Sequence, residues 1–138
     1  GAFLVAQLVG RKSMIPAKWG RIINIASVAG LQASDPRVVR TVAYNTTKHG
    51  VVGLTRQLAA EWGEHGITVN AVCPGYIATD MVKAIDEKVL NERIIPLIPV
   101  GRLGEPEEIA SMLTYLCSPA ASFVSGAIMD VNGGTQMR

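Results

Sequence analysis

GITVNAVCPG, residues 66–75, is the stretch from which the rest of the chain is read. Between Gly66 and the breaker Pro74-Gly75 runs a short, mostly apolar segment that includes Ile67, Val69 and Val72. A core-facing helix would run longer and show a 3.6-residue period. A short run closed by Gly and Pro reads as a buried strand. Strands apolar on both faces lie in parallel sheets, because crossover helices cover both sides.

Upstream, RIINIAS (21–27) repeats the signal. Ile22, Ile23 and Ile25 are β-branched and lie between Gly20 and Gly30, so a second buried strand is expected there. Residues 28–42, with Gly30 and Ser34-Asp35-Pro36, read as a loop. From about Ala43 to Gly63, Val51, Leu54, Leu58 and Ala59 fall at helical intervals, with Trp62 near the end. Residues 1–17 show the same period through Phe3, Leu4, Leu8, Met14 and Ile15. Downstream, residues 79–95 alternate charged and apolar residues at helical spacing. A second helix is predicted in GEPEEIASMLTYLCS (104–118). Its Pro106 suits a first turn, and Glu105, Glu107 and Glu108 suit the positive end of its dipole. GAIMDVNGG (126–134) reads as a short strand ending in glycines. The order is helix, strand, helix, strand, two helices, strand, which is an α/β arrangement around a parallel sheet.

Bulk properties narrow the class. The 138 residues suit one domain, and 49% hydrophobic against 17% charged residues describes a packed interior. A net charge of +2 gives no footing for nucleic acid. No apolar stretch is long enough to span a bilayer, and no signal-peptide pattern is present. Cys73 and Cys117 lack metal-ligand spacing. They read as buried, reduced thiols of a cytoplasmic protein, and no metal site is expected. His49 and His65 read as structural, and Trp19 and Trp62 as core or interface residues.

Parallel sheets bind ligands beyond the carboxyl ends of their strands. Three segments reach that edge: Ser27 onward, Cys73 to Tyr76 onward, and Asn132-Gly133-Gly134. Tyr44 and Lys48 open the helix after the first of them. Four positions apart, they share one helix face. Tyr-x-x-x-Lys by itself arises easily by chance. Its position beside Ser27 and the Pro74 loop gives it weight.

These stretches together resemble the C-terminal half of the short-chain dehydrogenase/reductase family. The matching segments are GRIINIASVAG (20–30), YNTTK (44–48), GLTRQLAAEWGEHGITVNAVCPG (53–75), IATDM (77–81), GRLGEPEEIA (101–110) and SGAIMDVNGG (125–134). The resemblance implies the C-terminal part of a Rossmann-like, doubly wound parallel sheet, and residues 1–138 as a partial domain of that kind. It implies an NAD- or NADP-dependent oxidoreductase that interconverts a secondary alcohol and a ketone. Ser27 matches the serine that hydrogen-bonds the substrate oxygen, and Tyr44 the acid/base. Lys48 matches the lysine that binds the nicotinamide ribose and holds the tyrosine's pKa down. Pro74, Gly75, Ile77 and Thr79 match the loop at the nicotinamide end. Asn24 and Ala26 fall at floor positions, and Tyr76 either faces substrate or packs. Thr79 also stands where it could cap a helix, with Asp80 in the first turn.

The resemblance is uneven. The family's glycine-rich phosphate turn, the residue that chooses NAD or NADP, and the asparagine of the proton relay have no counterpart. That pattern predicts a fragment of a domain of about 250 residues, inactive alone. The loop between Ser27 and Tyr44 is longer than in many members. Its Arg37 and Arg40 read first as solvated charges, second as contacts for an anionic substrate. PGYIATDMVKAI (74–85) and IPVGRLGEPEEIAS (98–111) look like reductases of 3-oxoacyl thioesters. AYNTTKHGVVGLTRQLAAEWGEHGITVNAV (43–72) looks like gluconate 5-dehydrogenase-type members. Both imply a secondary alcohol/ketone pair. Homodimer or homotetramer assembly is implied through the 1–17 and 43–63 helices, the second with Gly50, Gly53 and Ala60 on a small-residue face. The alternative reading is a non-catalytic, degenerate or truncated relative that serves as an oligomerisation module.

Overall fold

The computed structural model describes residues 1–34 and 41–137. Three parallel strands form one sheet in the order β1 (Gly20–Ile25), β2 (Ile67–Pro74), β3 (Ile128–Val131). β1 and β2 run in register from Gly20 opposite Ile67 to Ile25 opposite Val72, and β3 pairs with the far half of β2. Every residue of β2 from Ile67 to Cys73 is buried, as a central strand between two others must be.

Alternation along the strands sorts the core into two layers. Ile67, Val69, Ala71 and Cys73 face one side. They meet the helix Ala2–Val9 through Ala6 and the long helix Val42–Trp62 through Val52, Leu58 and Trp62. Val72 faces the other side, with Ile23, Met129 and Val131, and meets the helix Pro106–Cys117 through Ile109, Met112, Leu113 and Leu116. Helices therefore cover both faces, which makes the sheet doubly wound.

The helix of residues 1–17 is continuous but not uniform. An α-helical start is followed by a π turn at Gly10–Met14 and a last turn at Ile15–Ala17. The chain enters β2 through Gly66, with φ of 71°. A Cβ there would stand 2.5 Å from the Lys18 carbonyl oxygen, so the turn joining the long helix to β2 lies against the end of the first helix. Gly66→Ala is expected to cost about 2 kcal/mol, from the left-handed backbone and the clash together. Urea denaturation of the intact protein measures it. An unchanged midpoint would show that the Lys18 turn yields freely.

Three expectations change. Residues 79–95 are not one helix: Asp80–Lys83 and Glu87–Val89 are separate short helices, the second passing into a π turn at Leu90–Ile94. Asp86 causes the restart, because its carboxylate accepts the Lys88 and Val89 amides as an N-cap. Thr79 stands at the N-cap of Asp80–Lys83, but its hydroxyl turns back toward the Ile77 carbonyl instead of capping. Cys73 is buried, whereas Cys117 is exposed because it lies on the outer face of its helix. Of the two tryptophans read as core or interface, Trp62 is core, and Trp19 is 60% exposed with the Arg21 guanidinium over its ring. Asp35, Arg37 and Arg40 lie outside the described residues. Among the described residues no helix is long and apolar enough to cross a membrane.

Candidate active site

Strand β1 ends at Ile25, and Ala26 remains tied to β2 through its amide on the Val72 carbonyl. Ser27 follows in extended backbone and starts a 3₁₀ turn, Val28–Gly30. Its Oγ accepts the Ala29 amide at 3.2 Å, which leaves the hydroxyl proton to be donated outward.

The long helix brings Tyr44 and Lys48 to the same edge. The Lys48 Nζ donates to the Ile25 carbonyl at 2.8 Å and stands 5.5 Å from the Tyr44 ring centroid. One lysine thus bonds the end of β1 while lying over the tyrosine that shares its face. This bond to Ile25 spans 23 positions, and no local sequence pattern announces it. The floor beneath is polar but satisfied. The Asn24 amide donates to Thr55 Oγ1 at 2.9 Å, and Thr55 in turn donates to the Val51 carbonyl.

A cleft of about 400 Å³ opens over this edge. Ser27, Tyr44, Lys48, Pro74, Gly75, Ile77 and Thr79 all line it, so residues from three separated segments meet there. Ile25, Ala26, Met81, Pro106 and Ile109 complete the wall. Met81, Pro106 and Ile109 were not foreseen. A hint for the last two lay in GEPEEIA, whose acidic first turn marked a helix start without showing where that start points. Tyr76 is not in this lining. It borders a neighbouring cavity of about 230 Å³ with Arg102, Glu108, Asn132 and Gly133.

Arg102 and Glu108 form a bidentate pair at 2.8 and 2.7 Å, half-exposed on both sides. The carboxylate also accepts the Glu105 amide at 2.7 Å, in the manner of a capping-box glutamate. The hydrogen bond from Arg102, then that from Glu105, lowers the Glu108 pKa from 4.5 to about 2. A carboxyl group depressed in the folded state stabilises the fold above its unfolded pKa and loses that contribution as pH falls through the folded value. Glu108→Gln should therefore flatten the loss of stability between pH 4.5 and about 2 relative to the unmutated protein. Denaturation midpoints across that range check it, and parallel acid limbs would contradict the assignment.

Comparison with known proteins agrees with this architecture. The family model described as enoyl-(acyl carrier protein) reductase matches residues 1–136. Acetoacetyl-CoA reductase of Rhizobium meliloti (strain 1021) is 53% identical over 116 residues, covering 84% of this chain and 46% of that protein. The crystal structure of 3-oxoacyl-[acyl-carrier protein] reductase from Brucella melitensis superposes with a TM-score of 0.91 at 39% identity, over 99% of this chain and 49% of that one. A putative 2-deoxy-D-gluconate 3-dehydrogenase from Agrobacterium tumefaciens with bound NADP gives 0.87 at 38% identity, over 96% and 53%. The chain spans about half the length of the curated relatives it matches. A match over nearly every residue, on a two-sided parallel sheet with this edge, leaves one conclusion: the chain belongs to the short-chain dehydrogenase/reductase family.

Proposed function

We propose that these residues carry the catalytic edge of an NAD(P)-dependent oxidoreductase that reduces 3-oxoacyl thioesters to the 3-hydroxy compounds. The observation that carries the reading is the meeting of Ser27, Tyr44 and Lys48 with the 74–79 loop in one cleft. The fit to a nicotinamide is chemical. Ile25, Ala26, Ile77 and Ile109 offer an apolar surface to a ring, while the Lys48 ammonium offers donors to ribose oxygens and the Thr79 hydroxyl oxygen an acceptor to a carboxamide N–H.

A nicotinamide, when bound, supplies the hydride. The chain's own residues do the rest. Reduction of a ketone builds negative charge on its oxygen, and a positioned hydroxyl such as Ser27 meets that charge with a hydrogen bond. Tyr44 delivers the phenolic proton to the same oxygen and takes it back when the alcohol is oxidised. Lys48, held by the Ile25 carbonyl, fixes a positive charge beside the tyrosine while keeping further donors for the ribose. Pro74, Gly75, Ile77 and Thr79 shape the nicotinamide side of the cleft.

The thioester class is favoured by the relatives' own activities, since acetoacetyl-CoA and 3-oxoacyl reductases stand among them. Galactitol 2-dehydrogenase, 46% identical, supports polyol oxidation as the second reading. The intact protein is also proposed to assemble as a homodimer or homotetramer. Phe3, Leu4 and Leu8 are exposed on the first helix, and a Cβ added at Gly50 or Gly53 of the long helix would meet nothing within 4 Å among the described residues. Consumption of NADPH and of NADH by the intact protein with acetoacetyl-CoA tests the function, with galactitol and NAD as the opposing assay. Turnover with the polyol alone would move the substrate class. Failure of the intact protein to bind either nucleotide would favour the non-catalytic module.

A further inference from the structure

We propose that the Arg102–Glu108 pair is a latch that holds residues 76–79 in the shape that receives the cofactor, which makes both of them positioning residues; this rests on the oxidoreductase reading above. Neither residue lines the cleft, and each acts through the backbone of Gly104.

The loop is fastened at two points. Its upstream end is pinned where the Gly75 amide donates to the Val131 carbonyl at 3.1 Å. Its middle is pinned by one parallel bridge, Ile77 to Gly104. There the Gly104 amide donates to the Tyr76 carbonyl at 2.9 Å, and the Ala78 amide donates to the Gly104 carbonyl at 2.8 Å. Without that bridge, Ile77 and Thr79 have no cross-strand backbone support among the described residues for their place in the cleft wall.

Glu108 fixes Gly104 from both sides. Its carboxylate takes the Arg102 guanidinium, two residues before Gly104, and the Glu105 amide, one residue after it. The guanidinium also donates to the Leu103 carbonyl at 2.9 Å. One side chain therefore gathers the whole 102–105 turn. The fit is close, since a Cβ on Gly104 would stand 2.7 Å from the Ile77 Cδ1. The same first helical turn presents Pro106 and Ile109 to the cleft, so anchor and wall are one rigid piece. The neighbouring cavity, bordered by Tyr76, Ile77, Arg102 and Glu108, gives the loop room to sink once the pair is broken.

The test uses the intact protein with Arg102→Met, Glu108→Gln and the double variant. Glu108→Gln keeps an acceptor for the Glu105 amide and removes only the charge pair. Calorimetric titration with NADH and NADPH is expected to show nucleotide binding weakened about five- to tenfold in each variant. The double variant should be no weaker than the worse single one, because both remove the same interaction. Arg102→Lys should recover part of the affinity. Amide hydrogen exchange at Ala78 and Gly104 should quicken, and turnover at saturating cofactor should hold within about twofold. Unchanged exchange at Ala78, or unchanged nucleotide affinity alongside a lowered melting temperature, overturns the proposal. An unmutated protein that binds neither nucleotide overturns the oxidoreductase reading instead. The exchange result remains readable in that case and still decides whether the latch exists.

Discussion

Tyr44→Phe in the intact protein is expected to lower kcat by about 10²–10⁴-fold, the span that a positioned proton donor contributes. Phenylalanine keeps the ring and removes only the hydroxyl. The Tyr44 ring is half-exposed at the mouth of the cleft, so little packing depends on it. The melting temperature should therefore shift by no more than about 2 °C. Nucleotide binding should persist, because Lys48 keeps its bond to the Ile25 carbonyl. The measurement is steady-state turnover with saturating cofactor and ketone, beside a thermal scan. A variant retaining more than about a tenth of the turnover would assign the proton to another group, for which the Ser27 hydroxyl in the same cleft is a candidate.

Asn70→Ala is expected to cost about 3–4 kcal/mol of stability, a large effect for a polar side chain away from the cleft. Asn70 is 1% exposed in the middle of β2. Its amide donates to the Val124 carbonyl at 2.8 Å, and its carbonyl oxygen accepts the Ala127 amide at 3.0 Å. The chain between those partners is also bonded along β2. The Val69 amide donates to Ser125 Oγ, and the Gly126 amide donates to the Val69 carbonyl. Asn70 thus stitches residues 124–127 into line so that β3 enters the sheet in register. Alanine leaves two backbone groups without partners and opens a cavity, each a known cost. Urea denaturation of the intact protein measures the loss, with Gln57→Ala as an exposed control. A loss below about 1 kcal/mol would mean that water replaces the amide at little cost.

The contrast between these two residues shows what each level of structure decides. The place of Tyr44 at the sheet edge was legible because it rests on local periods. A helix brings positions four apart onto one face, and a short β-branched run between Gly and Pro makes a strand. Ser27, Tyr44, Lys48 and the Pro74 loop could be assigned to one sheet edge on that basis, since parallel strands all end on the same side. Asn70 was unreadable, because a lone asparagine in an apolar run does not show which backbone groups it will meet 54 and 57 positions away. The same holds for Arg102 and Glu108. Their spacing marked a helix start, while their reach to the cleft passes through a bridge to Ile77. Cys117 and Trp19 carry apolar character that favours burial, yet the packing of their own elements turns them outward. The break in residues 79–95 turned on the Asp86 carboxylate capturing two amides, a choice between two hydrogen-bond patterns that composition leaves balanced. By itself, then, the sequence determined the strands, the main helices, the two-sided parallel sheet and the residue types at its edge, because short-range periodicity and turn chemistry encode them. Only the tertiary structure decided which polar groups satisfy one another across distant segments, because those partners are set by where close-packed elements come to rest.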